Sequence, residues 1–204
     1  MHFLFAGDDS EQTTDEDSEE SAENSESDGG SSQSSKKAKV KDAAEDIDYS
    51  KAETKYYRKN MNALQTKLEG SVMKCTSCYE QVNHHIRSLV FTHPVLGVFI
   101  CKKCRKYYGK GKFCKDREGY DEYCRLCAEG GDLLCCEQED CFNGFCKRCV
   151  KRTMGRAELK SAESTEGWAC YVCNHEPMME LRALHRHILS NLKNSEEEDA
   201  NLSR

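Results

Sequence analysis

The chain has 204 residues, a formal net charge of −6, 37% hydrophobic residues, and 14 cysteines against only 2 prolines. That composition suits one small folded unit between polar tails, too lean in apolar residues to stand on its core alone. No run approaches the ~18 apolar residues of a membrane span, and Met1–Phe5 lacks the basic start and apolar core of a secretory signal.

Charge is unevenly placed: residues 70–194 hold 20 Lys and Arg against 15 Asp and Glu, so the rest of the chain is strongly acidic. Asp8 to Ser35 is Asp, Glu and Ser with almost no apolar residue, and residues 1–47 are expected to form a disordered tail. Its serines beside acids are candidate phosphorylation sites. Lys36, Lys37, Lys39 and Lys41 form a short basic cluster of the kind nuclear import receptors read. From 48 to 69 the sequence predicts a helix, with Tyr57, Met61, Leu64 and Leu68 on one face and Gly70 as its stop.

The cysteines come in pairs. Cys75, Cys78, Cys101 and Cys104 read C-x2-C-x22-C-x2-C, a zinc site of GATA-like type. Thiolates suit Zn²⁺, and a two-residue gap turns both sulfurs of a pair toward one ion. Between the pairs, Leu89–Phe91 and Val95–Ile100 read as short strands around His93-Pro94, and Arg105–Tyr108 as a short helix. His84, His85 and His93 are not needed as ligands, because four cysteines already close the site. Gly109 to Tyr123 is Gly- and Lys-rich, then acidic through Asp116, Glu118, Asp121 and Glu122, a candidate binding loop.

Four more pairs follow: Cys124/Cys127, Cys136/Cys141, Cys146/Cys149 and Cys170/Cys173. Only a few residues separate the second and third pairs, whereas a long segment precedes the last. That spacing favours a cross-brace, with Cys124, Cys127, Cys146 and Cys149 on one ion and Cys136, Cys141, Cys170 and Cys173 on another. Cys114 and Cys135 are left over, and Cys135 competes with its neighbour Cys136 for the ligand role. Gly155–Glu163 and 177–193 read as helices, the latter with an apolar stripe of Leu181, Leu184, Ile188 and Leu192 and with Pro177 in its first turn. Residues 194–204 are expected to be a disordered tail.

These residues together resemble an ADD domain, the cysteine-rich module shared by ATRX-type chromatin proteins and the de novo DNA methyltransferases, with the ATRX type the nearer. The resemblance covers about residues 70–193. It rests on Cys75-Thr-Ser-Cys78, Gln81-Val-Asn-His84, His93-Pro94, Ile100-Cys-Lys-Lys-Cys104, Lys106-Tyr-Tyr108, Asp121-Glu122, Cys124-Arg-Leu-Cys-Ala-Glu-Gly-Gly131, Gly155-Arg156 and His175-Glu-Pro177. Trp168, two residues before Cys170, matches the aromatic of PHD fingers, and a cysteine at 146 in place of histidine marks the ADD type. The resemblance assigns Cys136 as the ligand. It implies three zinc ions on twelve cysteines and a small zinc-stabilised α+β fold. In that fold a GATA-like finger (70–123) packs on an atypical cross-brace PHD finger (124–176), with a C-terminal helix.

The resemblance also implies a reader of the histone H3 tail, acting in the nucleus on chromatin, in heterochromatin organisation or gene silencing. An extended basic peptide would add a strand along Asp132–Cys135. Asp121, Glu122 and Glu129 would pair with an unmodified lysine at the fourth tail position. Tyr107, Tyr108 and Tyr123 would hold a trimethylated lysine at the ninth through their aromatic faces, and Ala128 and Asp132 are further expected tail contacts. Tyr123 stands where the ATRX type has glutamine, and Gly111 and Lys112 replace an acidic pair. Heterochromatin proteins are further expected partners, and the unit is expected to be a monomer without membrane contact. Two other readings stay open. One is DNA binding through Lys102, Lys103, Arg105, Lys106, Lys110, Lys112 and the 147–152 cluster, and the other a RING-type ubiquitin ligase. No G-x-x-x-x-G-K-[ST] loop and no acid–base or nucleophile set occurs, which points to a non-enzyme.

Overall fold

The first helix, α1 (Lys51–Gly70), begins on a capping box: Ser50 Oγ accepts from the Glu53 amide at 3.1 Å, and the Glu53 carboxylate accepts from the Ser50 amide at 2.8 Å. The chain is seen here in a computed structural model that describes residues 47–109 and 113–202. The expected acidic tail with its lysine cluster, and Gly111 and Lys112, lie outside the described residues. On α1, Tyr57, Leu64 and Leu68 are buried as their spacing predicts, while Met61 stays exposed.

Their partner is the last helix, α5 (Met179–Leu202), whose Ala183, Leu184, Ile188 and Leu192 join the same core. Leu181 departs from the predicted stripe and packs with the second core. Helix α5 also runs to Leu202, so the expected tail from 194 is helical through 202. The reason is local: Lys193 to Leu202 contains neither Gly nor Pro, so nothing stops a helix already nucleated by packing. Pro177 sits in the first turn of the 3₁₀ segment Glu176–Met178 that leads into α5.

Arg182 ties α5 to α1 and to the segment just before it. Its guanidinium pairs with Glu53, both side chains being buried, and donates to the carbonyls of Leu96 (2.6 Å) and Asp48 (3.0 Å). Beside it, His185 Nε2 meets Thr92 Oγ1 at 2.8 Å, and His187 Nδ1 meets the Tyr57 hydroxyl at 3.2 Å.

Strands β1 (Val90–Thr92) and β2 (Phe99–Cys101) pair antiparallel, Phe91 opposite Ile100. The second strand starts later than the predicted Val95. Residues 95–98 are instead bent into a turn, with His93 Nδ1 accepting from the amides of Val95 (3.2 Å) and Leu96 (3.1 Å). This turn drives Leu96 and Val98 into the second core, which locks the two zinc modules together. Helix α2 (Lys102–Tyr108) follows directly, longer than predicted at its start.

The second module holds β3 (Leu133–Cys135) antiparallel to β4 (Gly144–Cys146), then α3 (Lys147–Thr153) and α4 (Arg156–Ser164). Its core is aromatic: Phe145 and Trp168 each stand edge-on to Tyr171, at 5.0 and 5.6 Å between centroids. Three-residue strands in two-stranded sheets cannot hold themselves together in water, so the metal centres must supply the missing constraint.

Candidate functional site

Three groups of four cysteines come together: Cys75, Cys78, Cys101 and Cys104; Cys124, Cys127, Cys146 and Cys149; Cys136, Cys141, Cys170 and Cys173. Within each group all four sulfurs lie within 4.8 Å of one another. Tetrahedral zinc with Zn–S near 2.3 Å requires sulfurs about 3.8 Å apart. The pairs Cys78–Cys101 (3.8 Å), Cys127–Cys146 (4.0 Å), Cys136–Cys173 (3.9 Å) and Cys141–Cys170 (3.7 Å) match that edge. The chain thus carries three four-cysteine zinc centres, two of them cross-braced, and none includes a histidine. Cys136 is the ligand, while Cys135 lies on β3 outside the group.

The centres are built by one local device used twice. In Cys75–Cys78 and Cys124–Cys127 the residue after the second cysteine donates its amide to the carbonyl of the first, at 2.9 Å for Tyr79 and 2.7 Å for Ala128. Both take positive φ, 69° and 55°. The second pair of each of these centres then caps a helix: Cys101 Sγ accepts from the Cys104 amide at the start of α2, and Cys146 Sγ from the Cys149 amide at the start of α3, both at 3.4 Å. Such amides spread the negative charge of zinc-bound thiolates. In the longer knuckle, Asp140 adopts φ 60°, so the extra residues bulge without moving Cys141 off the centre.

Between the modules, Tyr107, Tyr108, Phe113, Cys114, Tyr123 and Ala128 line a pocket of about 310 Å³. Tyr107 is 70% exposed, Tyr123 42%, and Tyr108 is buried. The Tyr107 and Tyr108 rings meet at 73°, and Phe113 lies 6.0 Å from Tyr108. Ala128 is held at its positive φ by the knuckle and presents only a methyl group to this space. Sequence reasoning missed Phe113 and Cys114. The signal available was the aromatic in the linker, five residues after Tyr108.

The expected acids divide. Asp121 is buried, with its carboxylate paired to Arg125 and accepting the Gly144 amide at 3.0 Å, so it is a structural group and not a free seat for a ligand. Lys115 stands 3.7 Å from the same carboxylate. Glu129 pairs with Arg148 at 2.9 Å and Asp132 with Lys147 at 3.0 Å, both on the exposed surface where such pairs are weak. Glu118 and Glu122 are exposed, and no side-chain partner holds either carboxylate among the described residues.

Among the described residues the sheet leaves one edge open. Cys136 donates to Asn143 and Lys147 to Asp132, which by strand alternation directs the Leu134 backbone at β4 and the Leu133 and Cys135 backbones outward. The far side of β4 is closed, because Arg125 donates to the Gly144 carbonyl at 2.8 Å. Asp121 lies on that closed side as well, where its carboxylate accepts the Gly144 amide. Burial raises the Cys135 thiol pKa above its ordinary value, and the charges of Asp121 and Asp116 raise it further.

This arrangement, a four-cysteine finger fused to a cross-braced PHD-like finger under a long terminal helix, defines a chromatin-associated class of zinc module. The family profile described as "Cysteine Rich ADD domain" matches residues 63–117, and that described as "DNMT3, ADD PHD zinc finger" matches residues 124–173. The chain is 36% identical over 118 residues to the transcriptional regulator ATRY of Notamacropus eugenii, covering 57% of this chain and 98% of that protein. It is 42% identical over 123 residues to the transcriptional regulator ATRX of Homo sapiens, covering 60% of this chain and 5% of that one. Against ATRX of Notamacropus eugenii the figures are 42% over 123 residues, with 60% and 24% covered. The chain belongs to the ADD-domain family. It spans about a quarter or less of the length of these ATRX relatives.

Proposed function

We propose that this module reads the N-terminal tail of histone H3, with an unmodified lysine at the fourth position and a trimethylated lysine at the ninth. The observation that carries the reading is the pairing of an open strand edge at Leu133 and Cys135 with an aromatic pocket on the same molecule. An extended peptide gains backbone hydrogen bonds along such an edge, and its side chains set the selectivity. The rings of Tyr107, Tyr108, Phe113 and Tyr123 offer a quaternary ammonium the π-faces that attract it, by roughly 0.5–2 kcal/mol.

The fourth-position lysine is seated by the acidic turn. Glu118 and Glu122 supply free carboxylates, and Asp121 acts indirectly by holding the turn against β4. Trimethylation of that lysine removes its N–H donors and adds bulk, so the seat rejects it. The relatives are transcriptional regulators, and we place this chain with them in the nucleus, on heterochromatin, as a reader and not a catalyst.

The test is titration of the zinc-loaded protein with four tail peptides: unmodified, trimethylated at lysine four, at lysine nine, and at both. The expected order is tightest binding to the lysine-nine form, abolished when lysine four is also trimethylated. Equal binding to the unmodified and lysine-nine peptides overturns the role given to the aromatic pocket. No binding to any of them overturns the reading.

A further inference from the structure

Around the zinc centres several cations are committed within the fold, while Lys102, Lys106 and Lys151 have no partner among the described residues. Lys147 bridges Asp132 and Glu163 at 3.0 and 3.2 Å, Arg148 holds Glu129, Lys103 lies 3.8 Å from Glu80, and Arg152 donates to the Ser77 carbonyl at 2.6 Å. On helix α1, Lys51, Lys55, Arg58 and Lys59 are exposed, and among the described residues their side chains have neither an ion pair nor a hydrogen bond.

These four stand at i, i+4, i+7 and i+8, one face of the helix. Tyr57, Leu64 and Leu68 occupy the opposite face and fix α1 to α5. Before Glu69 the helix has a single acid, Glu53, and that one is buried and consumed by Arg182. The result is a row of unpaired positive charge on one helix face, where the four cations line a depression together with Tyr49 and Thr54.

We propose that this face of α1 docks on the phosphate backbone of duplex DNA. The argument for that occupant is charge complementarity in a line. From 51 to 59 a helix advances about 12 Å, long enough to run beside several adjacent phosphates of one strand. Three of the four cations are lysines, point charges without the forked geometry that reads base edges. Binding is therefore to phosphates and independent of sequence. The proposal does not rest on the peptide reading, since α1 contributes nothing to the aromatic pocket or the open edge.

The experiment is anisotropy of a labelled mixed-sequence duplex titrated with the zinc-loaded full chain across a range of salt. The comparison is a variant carrying Lys51→Gln, Lys55→Gln, Arg58→Gln and Lys59→Gln. All four positions face solvent, and circular dichroism with zinc content verifies that the variant is folded. Expected is a steep salt dependence whose log–log slope shrinks in the variant by about 3–4, at about 0.9 for each phosphate no longer neutralised, with affinity falling at least tenfold. An unchanged slope and affinity overturn the proposal. So does loss of binding only when Lys102, Lys106 and Lys151 are neutralised. Tighter binding to anionic vesicles, to an acidic peptide or to single-stranded RNA than to the duplex would overturn the choice of ligand.

Discussion

The phenol of Tyr108 donates a hydrogen bond to the carbonyl oxygen of Leu126, 2.6 Å away, across the junction of the two zinc modules. Its ring stacks at a tilt on His93, 4.7 Å between centroids. The same ring is a wall of the aromatic pocket, so one residue both lines the pocket and bolts the modules together. Tyr107, its neighbour, is mostly in water.

The two tyrosines should therefore separate by mutation. Tyr108→Phe keeps the ring but strands the buried Leu126 carbonyl, which costs about 1–3 kcal/mol. Denaturant melts should show that loss, with binding of the trimethyl-lysine peptide per folded molecule little changed. Tyr107→Ala should do the reverse, with stability within about 0.5 kcal/mol of the parent and weaker binding of that peptide.

Adjacent carboxylates should behave oppositely as well. Asp121→Ala removes one partner of a buried ion pair and leaves Arg125 uncompensated, at a cost of about 3 kcal/mol or more in denaturant melts. Glu122→Ala leaves stability alone and weakens the unmodified tail peptide. If Asp121→Ala melts like the parent, the structural role given to Asp121 is wrong.

Metal content gives a third check. The parent should carry three zinc ions per chain, and a strong chelator should collapse its circular dichroism, because the short strands depend on the centres. Cys136→Ser should lose zinc and Cys135→Ser should retain all three ions. Cys114→Ser should also retain them, since Cys114 is an exposed residue of the pocket and not a ligand.

Acid should weaken the packing of α5 on the β1–β2 sheet through His185, which meets Thr92 and Phe99. Burial holds this imidazole down to about 3, helped by the nearby charges of Arg87 and Arg182. In the unfolded chain it titrates near 6.5. Above pH 6.5 both states are neutral there, and the fold loses nothing. Below it the unfolded chain gains a proton that the fold refuses, so stability drops as pH falls toward 3. Between pH 7 and 5.5, with zinc held constant, the parent should lose about 1 kcal/mol more than His185→Gln.

The cysteine framework was legible because a knuckle is a local object: two residues between ligands suffice to define it, and Cys124 to Cys173 contains three such pairs and a fourth with four residues between. Helices α1 and α5 were legible from their apolar spacing, whereas α3 (Lys147–Thr153) was not predicted. What escaped depends on distant partners. Nothing in the sequence tells Asp121 from Glu122; the distinction is made by Gly144 and Arg125, which bury one carboxylate and leave the other free. The turn at 95–98 was hidden behind residues of strand character, because His93 captures two amides that a strand would have used. Leu181 belongs by periodicity with Leu184, yet α5 straddles two cores and divides them.

The packing of α1 against α5 has a consequence for how the protein is made. Cysteine sets are completed at residues 104, 149 and 173, so metal can be captured in that order as the chain leaves the ribosome. Helix α1 cannot be covered until α5 follows, since Tyr57, Leu64 and Leu68 wait for Leu184, Ile188 and Leu192. At ordinary elongation rates that is roughly ten seconds with an apolar helix face open to the cytosol. A transcript cut short before α5 would leave that face bare on a product whose metal centres were otherwise complete, a molecule prone to aggregate.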